Sequence, residues 1–472
     1  MTRVGTWMVA AVLLTSAFIA HPAAAQPDSP VTGLGPSGTS LMHGDLGSTD
    51  STGHRGPGRG ARLAASSIPG GACAATFVGG DGMPVALCTR FIGTTPPAFA
   101  APSVVLFDPR TAQPLVSRQL TKGGLLGGVY GYLDHRDRVV VADGSGSILF
   151  VAHRKTSAVW QVYVDDRIDV ARHIPSGDAI TGLAPDPDGR IWFATTRGVI
   201  GVVDPNGRRT VRTTRLPAGE ELGNGLSVRR AGASILTTHA LYEMRADAGE
   251  APRVVWRRAY DRGPGRKPGQ LTWGSGTTPT YFGPGGDGWV AIVDNADRPR
   301  LRVFRSDDGS EVCRMPAFAR SGPGTENSPM AWGYSLVIPS TYGYQYPPMA
   351  VTGPAIPADA SFVGGMTRID VSPDGCRRVW ENADRIATLP KLSRADGLIH
   401  ALGYGPVVPG LPQQVGPVAY VATDFATGRR VETRQVGTAP LDEPLELTGT
   451  IAADGTMWQG TVGRMLKVVP GR

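Results

Sequence analysis

Residues 186–204 read DPDGRIWFATTRGVIGVVD, and this stretch decides the fold. Asp186-Pro187-Asp188-Gly189 is a turn sequence. Residues 191–196 and 199–204 are β-branched and aromatic runs separated by Arg197-Gly198, the pattern of two antiparallel strands. Working outward, the pair recurs at 139–142 with 148–151, 234–238 with 240–244, 289–293 with 301–304, and 398–402 with 419–424. Most pairs are followed by a more polar strand, as at 210–214, 253–257 and 430–434. Apolar strands inside and a solvated strand outside describe a β-propeller blade. The repeats predict an all-β propeller of four-stranded antiparallel blades over residues 69–472: eight blades, or seven if the first and last units merge. The last unit lacks room for an outer strand, and residues 72–78 are expected to complete it.

Composition agrees with many short strands joined by tight turns: 64 Gly and 40 Pro in 472 residues. The net charge is +7, yet Lys occurs only at 122, 155, 267, 391 and 467, and the Arg residues form no block. A nucleic-acid binder would need a basic stripe interleaved with aromatic residues. Scattered Arg instead reads as a solvated coat that discourages strand edges from pairing. Residues 1–25 carry Arg3, an apolar run from Trp7 to Ala20 and an A-x-A site ending at Ala25, which predicts a cleaved secretory leader and a secreted, monomeric product. No later run is long enough to span a membrane. Residues 26–68 are rich in Gly, Ser, Pro and Asp, and are expected to be a disordered tail. The four cysteines fit an oxidising compartment, with Cys73–Cys88 and Cys313–Cys376 favoured among three connectivities.

Four segments resemble known propellers. The motif at 186–205 is similar to blades of secreted propellers related to streptogramin B lyase and to the gluconolactonase group. Asn224-Gly225-Leu226-Ser227-Val228 resembles a segment of gluconolactonase- and strictosidine-synthase-like propellers. Residues 420–428, ending in an Asp-x-x-Thr-Gly turn, resemble a quinoprotein (PQQ-like) blade, and 273–344 resembles uncharacterised secreted actinobacterial propellers. Propeller sites gather at the central channel, beside the loops that lead into the innermost strands. The lactonase resemblance implies a channel metal held by Glu, Asn and Asp, so Asn224, Asp294, Asn295, Glu326 and Asn327 are candidate Ca²⁺ ligands. It also makes His239 and Glu326 candidate catalytic residues. Ser275 and Thr277 lead into a strand, and Tyr342, Tyr344 and Tyr346 sit in a long loop at 339–365; these five are candidate substrate contacts, the tyrosines as a rim.

The nucleophile elbow G-x-S-x-G is absent, as are nucleotide-binding glycine motifs at strand–helix junctions. The expected function is a lactonase- or lyase-like enzyme acting on a small organic molecule in the channel. The alternatives are a non-catalytic propeller binding a surface glycan or protein, and a quinoprotein-like oxidoreductase. The last lacks a vicinal Cys-Cys.

Overall fold

The structure is a computed structural model that describes residues 31–68, 70–92, 98–123, 130–406 and 413–471. The expected leader at 1–25 lies outside the described residues.

One blade shows how sequence becomes structure. Ile180–Pro185, Ile191–Thr195, Val199–Val203 and Arg212–Arg215 pair in that order, each antiparallel to the next. The first three strands are buried along their whole length, and the fourth is polar and partly exposed. Asp186 builds the turn between the first two. Its Oδ1 accepts the N–H groups of Asp188 and Arg190 at 3.0 and 2.9 Å, and its Oδ2 accepts Arg190 Nε at 2.7 Å and Trp192 Nε1 at 3.2 Å. Gly189 supplies the positive φ of 86° that the turn requires. Asp134 does the same one blade earlier, holding Arg136 N, Arg138 N and Arg138 Nε. Trp192 is fully buried against Ile235 and Tyr242 of the next blade, so the apolar cores lie between blades as well as within them.

The described strands form eight such blades in a ring. The apolar runs at 234–238 and 335–338 lie on second strands, not innermost ones. The innermost strands are shorter, such as Leu226–Arg229, Thr280–Phe282 and Met330–Trp332, and too brief to show an apolar run. Ring closure also differs from expectation. Ala72–Val78 is the innermost strand of its own blade. The closing strand is Arg62–Ser67, which pairs antiparallel with Met465–Val469 as the outer strand of the last blade. Its first three residues, Arg62, Leu63 and Ala64, are exposed, and Ser67 is buried.

The segment expected to be a disordered tail is an ordered plug from about residue 38 to 52, largely buried. It runs around the inside of one end of the channel and meets one innermost strand after another. Ser40 O accepts Leu133 N, Leu46 O accepts Val228 N and Gly47 O accepts Tyr281 N, at 2.8, 2.8 and 2.9 Å. Thr49 O accepts Ala331 N and Asp50 O accepts Leu392 N at 2.8 and 2.9 Å. Ser51–Thr52 then pairs in parallel with Lys391–Ser393. The physical reason is that the channel-facing edge of every innermost strand carries backbone donors that need an acceptor once buried. A chain of small residues fits the narrow space and supplies it. Composition alone measures apolar surface and is blind to this backbone pairing.

Both expected disulfides form. Cys73 and Cys88 are cross-strand partners in the first blade. Cys313 and Cys376 link the outer strands Glu311–Pro316 and Gly375–Glu381 of adjacent blades, with Cα atoms 5.8 Å apart. Among the described residues no helix is long and apolar enough to cross a membrane.

Candidate functional site: a plugged channel cavity

Against the plug, the residues that lead into the innermost strands converge. Asn224 lies two residues before Leu226–Arg229, Thr278 two before Thr280–Phe282, and Glu326 to Ser328 just before Met330–Trp332. Leu389, Glu446 and Tyr130 hold the same kind of position on three other blades. Together they line a cavity of about 180 Å³. Its walls are mostly apolar, from Ala72, Ala74, Leu271 and Leu447 among others, and Met42 and His43 of the plug form its floor.

The polar groups in this cavity are unevenly served. Glu326 Oε2 accepts Leu271 N at 3.2 Å, while Oε1 is buried without a hydrogen-bond partner. Glu446 is similar: Oε2 accepts Asn327 Nδ2 at 2.8 Å and Oε1 is unpartnered. Burial pushes each carboxyl up to about 8; Asn327 eases Glu446 while the charges of Glu443 and Glu326 raise it further, and Leu271 N, Arg266 and Asn224 ease Glu326. His43 is the third such group. Its Nδ1 lies 2.9 Å from Asp50 Oδ2, its ring stacks on Tyr130 at 6.5 Å between centroids, and its Nε2 is buried and unpartnered. Gly276 permits the close approach of its loop, since a side chain there would collide with the Glu326 carboxyl. Asn224 Nδ2 ties the two loops by donating to Gly276 O at 2.7 Å.

The structure thus brings together Asn224, Glu326 and Asn327, as the loop positions imply. Tyr346 joins them in the cavity wall. The other candidates fall elsewhere. Asp294 closes a hairpin, its Oδ2 2.9 Å from Arg300 Nε and its Oδ1 on Arg300 N at 2.8 Å. Asn295 donates to Arg262 O and Gly265 O. Neither lines the cavity, so the five-donor calcium set does not assemble. Among the described residues no group of three or more His, Cys, Asp and Glu is placed to hold a metal ion.

His239 is a turn residue whose two ring nitrogens are already engaged, Nδ1 with Thr238 Oγ1 at 3.0 Å and Nε2 with Arg262 at 2.7 Å. Ser275 and Thr277 are buried and bond each other at 2.9 Å, with Ser275 Oγ also donating to Val293 O at 2.6 Å; they brace a loop. Tyr344 is core, its hydroxyl donating to Glu443 and its ring packed edge-on against Phe362. Tyr342 is half-buried over Gly322 and Gly324. The tyrosine rim is therefore a packed loop with one residue, Tyr346, at the cavity.

Three site residues escape the sequence reading. Glu446 precedes an innermost strand just as Glu326 does, so applying the same rule to the last blade finds it. His43 and Asp50 lie in the segment set aside as a tail, and no local pattern marks them.

A fold of this class, an eight-bladed β-propeller with a site in its channel, has relatives at a distance. The family described as two component regulator propeller matches residues 174–197, within the blade of Trp192. An uncharacterized protein of Archaeoglobus fulgidus is 24% identical over 314 residues, which is 60% of this chain and 60% of that protein's length. Among solved structures, a europium-containing methanol dehydrogenase is similar with a TM-score of 0.53 and 11% identity, over 91% of this chain and 97% of that one. The computationally designed Ika8 protein has a TM-score of 0.50 and 11% identity, over 87% and 99%. At these identities the similarity is one of fold.

Proposed function

We propose that the protein is an exported acid–base enzyme of lactonase- or lyase-like type, acting on a small organic molecule in the channel cavity. The observation that carries this reading is the convergence of His43 Nε2, Glu326 Oε1 and Glu446 Oε1 on one apolar cavity, each buried and without a partner. A buried polar atom left unsatisfied costs about 1–3 kcal/mol, so three together make sense where a ligand completes them. At neutral pH carboxyls near 8 keep their protons and act as donors or acids. A neutral imidazole nitrogen accepts. An acid and a base facing one volume are what opening a lactone or eliminating a leaving group needs. The volume of about 180 Å³ is close to the roughly 150 Å³ cavity that holds benzene in an engineered protein, which favours a ligand of single-ring size. Export is supported by the leader-like start and the two disulfides.

The test is turnover of a panel of small lactones and aryl esters by the purified protein. Glu326→Gln is expected to lower kcat about 10²-fold, and wild-type activity to decline as pH rises through about 8, where Glu326 gives up its proton. A protein inert to the panel, with no cavity ligand in a thermal-shift screen, would favour the glycan- or protein-binding alternative.

A further inference from the structure

The plug reaches the cavity through one short arch, residues 41–52, and two of its residues hold the arch's polar tip. Asp50 is completely buried. Its two carboxylate oxygens divide their work: Oδ2 meets His43 Nδ1 at 2.9 Å, and Oδ1 meets Lys391 Nζ at 2.6 Å. Lys391 comes from an innermost strand and is itself almost wholly buried. Its ammonium also donates to Met42 O at 2.6 Å, beside His43 in the chain. The backbone closes the same loop, with Asp50 N donating to His43 O at 2.8 Å. His43 therefore has one nitrogen anchored in a buried ion pair and the other open to the cavity.

We propose that Lys391 and Asp50 are positioning residues that lock His43 in the tautomer with its proton on Nδ1, so that Nε2 faces the substrate as the general base. This rests on the acid–base reading of the cavity for the role of His43, and on geometry alone for its tautomer. The charges make the lock work. Burial works against ionised Asp50, but the hydrogen bond from His43 and the charge and hydrogen bond of the Lys391 ammonium hold its carboxyl below the usual range. An ionised carboxylate accepts only, so Nδ1 must donate. The other groups facing the ring are Tyr130, stacked on it, and Glu326 and Glu446 across the cavity. In an elimination the substrate's C–H proton passes to Nε2, forming an imidazolium beside Asp50; the freed electron pair forms the C=C bond as the C–O bond breaks, Glu326 gives its proton to the leaving oxygen, and after product release the imidazolium's proton goes to the Glu326 carboxylate. Lys391 balances Asp50 beforehand. Without it, a buried carboxylate would draw a second proton onto His43 and remove the base.

The experiment is ¹⁵N NMR of ring-labelled histidine in the full chain, which has eight histidines, with His43→Gln assigning the signal. The wild type is expected to show neutral His43 protonated on Nδ1. Asp50→Asn should shift it toward the Nε2–H form, and Lys391→Met should yield imidazolium at a pH where the wild type is neutral. Asp50→Asn should lower kcat about 10²-fold or more with KM little changed. An Nε2–H tautomer in the wild type overturns the proposal, and needs no variant to fold. An unchanged tautomer in a folded Asp50→Asn also overturns it. The expected spectrum together with full turnover by His43→Gln would instead overturn the acid–base reading and leave the lock standing.

Discussion

Glu326 and Glu446 keep their protons far above the usual carboxylate range because burial outweighs the few donors they meet. Stability must then depend on pH in a definite direction. Below about 4.5 both states of the chain hold these protons. Between about 4.5 and 8 the unfolded chain releases them while the folded chain keeps them, so stability falls as pH rises. Their contribution is complete below 4.5 and gone once pH passes 8. Glu326→Gln and Glu446→Gln imitate the protonated form, and each is expected to flatten this decline; thermal midpoints from pH 5 to 9 measure it. Midpoints that decline as steeply in both variants would contradict the buried, proton-holding state. Glu326 is legible in the sequence because polar residues before a strand in a propeller point at the channel. His43 is not, because its importance comes from Asp50 and from Lys391, 341 residues away from that aspartate.

At the scale of elements, second and third strands are legible because burial on both faces demands continuous apolar runs such as IWFAT and VIGVV. Innermost strands are hidden by brevity, and the Tyr loop misleads because Tyr344 packs inward where composition suggests a rim. The Cys313–Cys376 bond spans 63 residues and ties two outer strands that otherwise meet only through side chains. By loop-closure entropy it should contribute about 4 kcal/mol. Denaturant unfolding of a Cys313→Ala/Cys376→Ala protein against the oxidised wild type checks this; a difference under about 1 kcal/mol would mean that the neighbouring blades hold together without it.

At the scale of the whole molecule the ring and the plug are separable. Closure depends on Arg62–Ser67 alone, so a chain lacking residues 31–56 is expected to keep its β circular dichroism. It should lose amide protection at Val228, Tyr281, Ala331 and Leu392, four of the donors that the plug serves. Hydrogen exchange reads this residue by residue; protection that persists at those four amides would show that the innermost edges find partners elsewhere.

The plug also sets an order in time. Its acceptors lie within residues 40–50, yet they bond to strands spread from Leu133 to Leu392. Contacts so distant along the chain are slow to form. The early segment must wait, tethered and unpaired, until most of the ring exists around it. His43 is thus expected to reach the cavity only after Glu326 and Glu446 are in place.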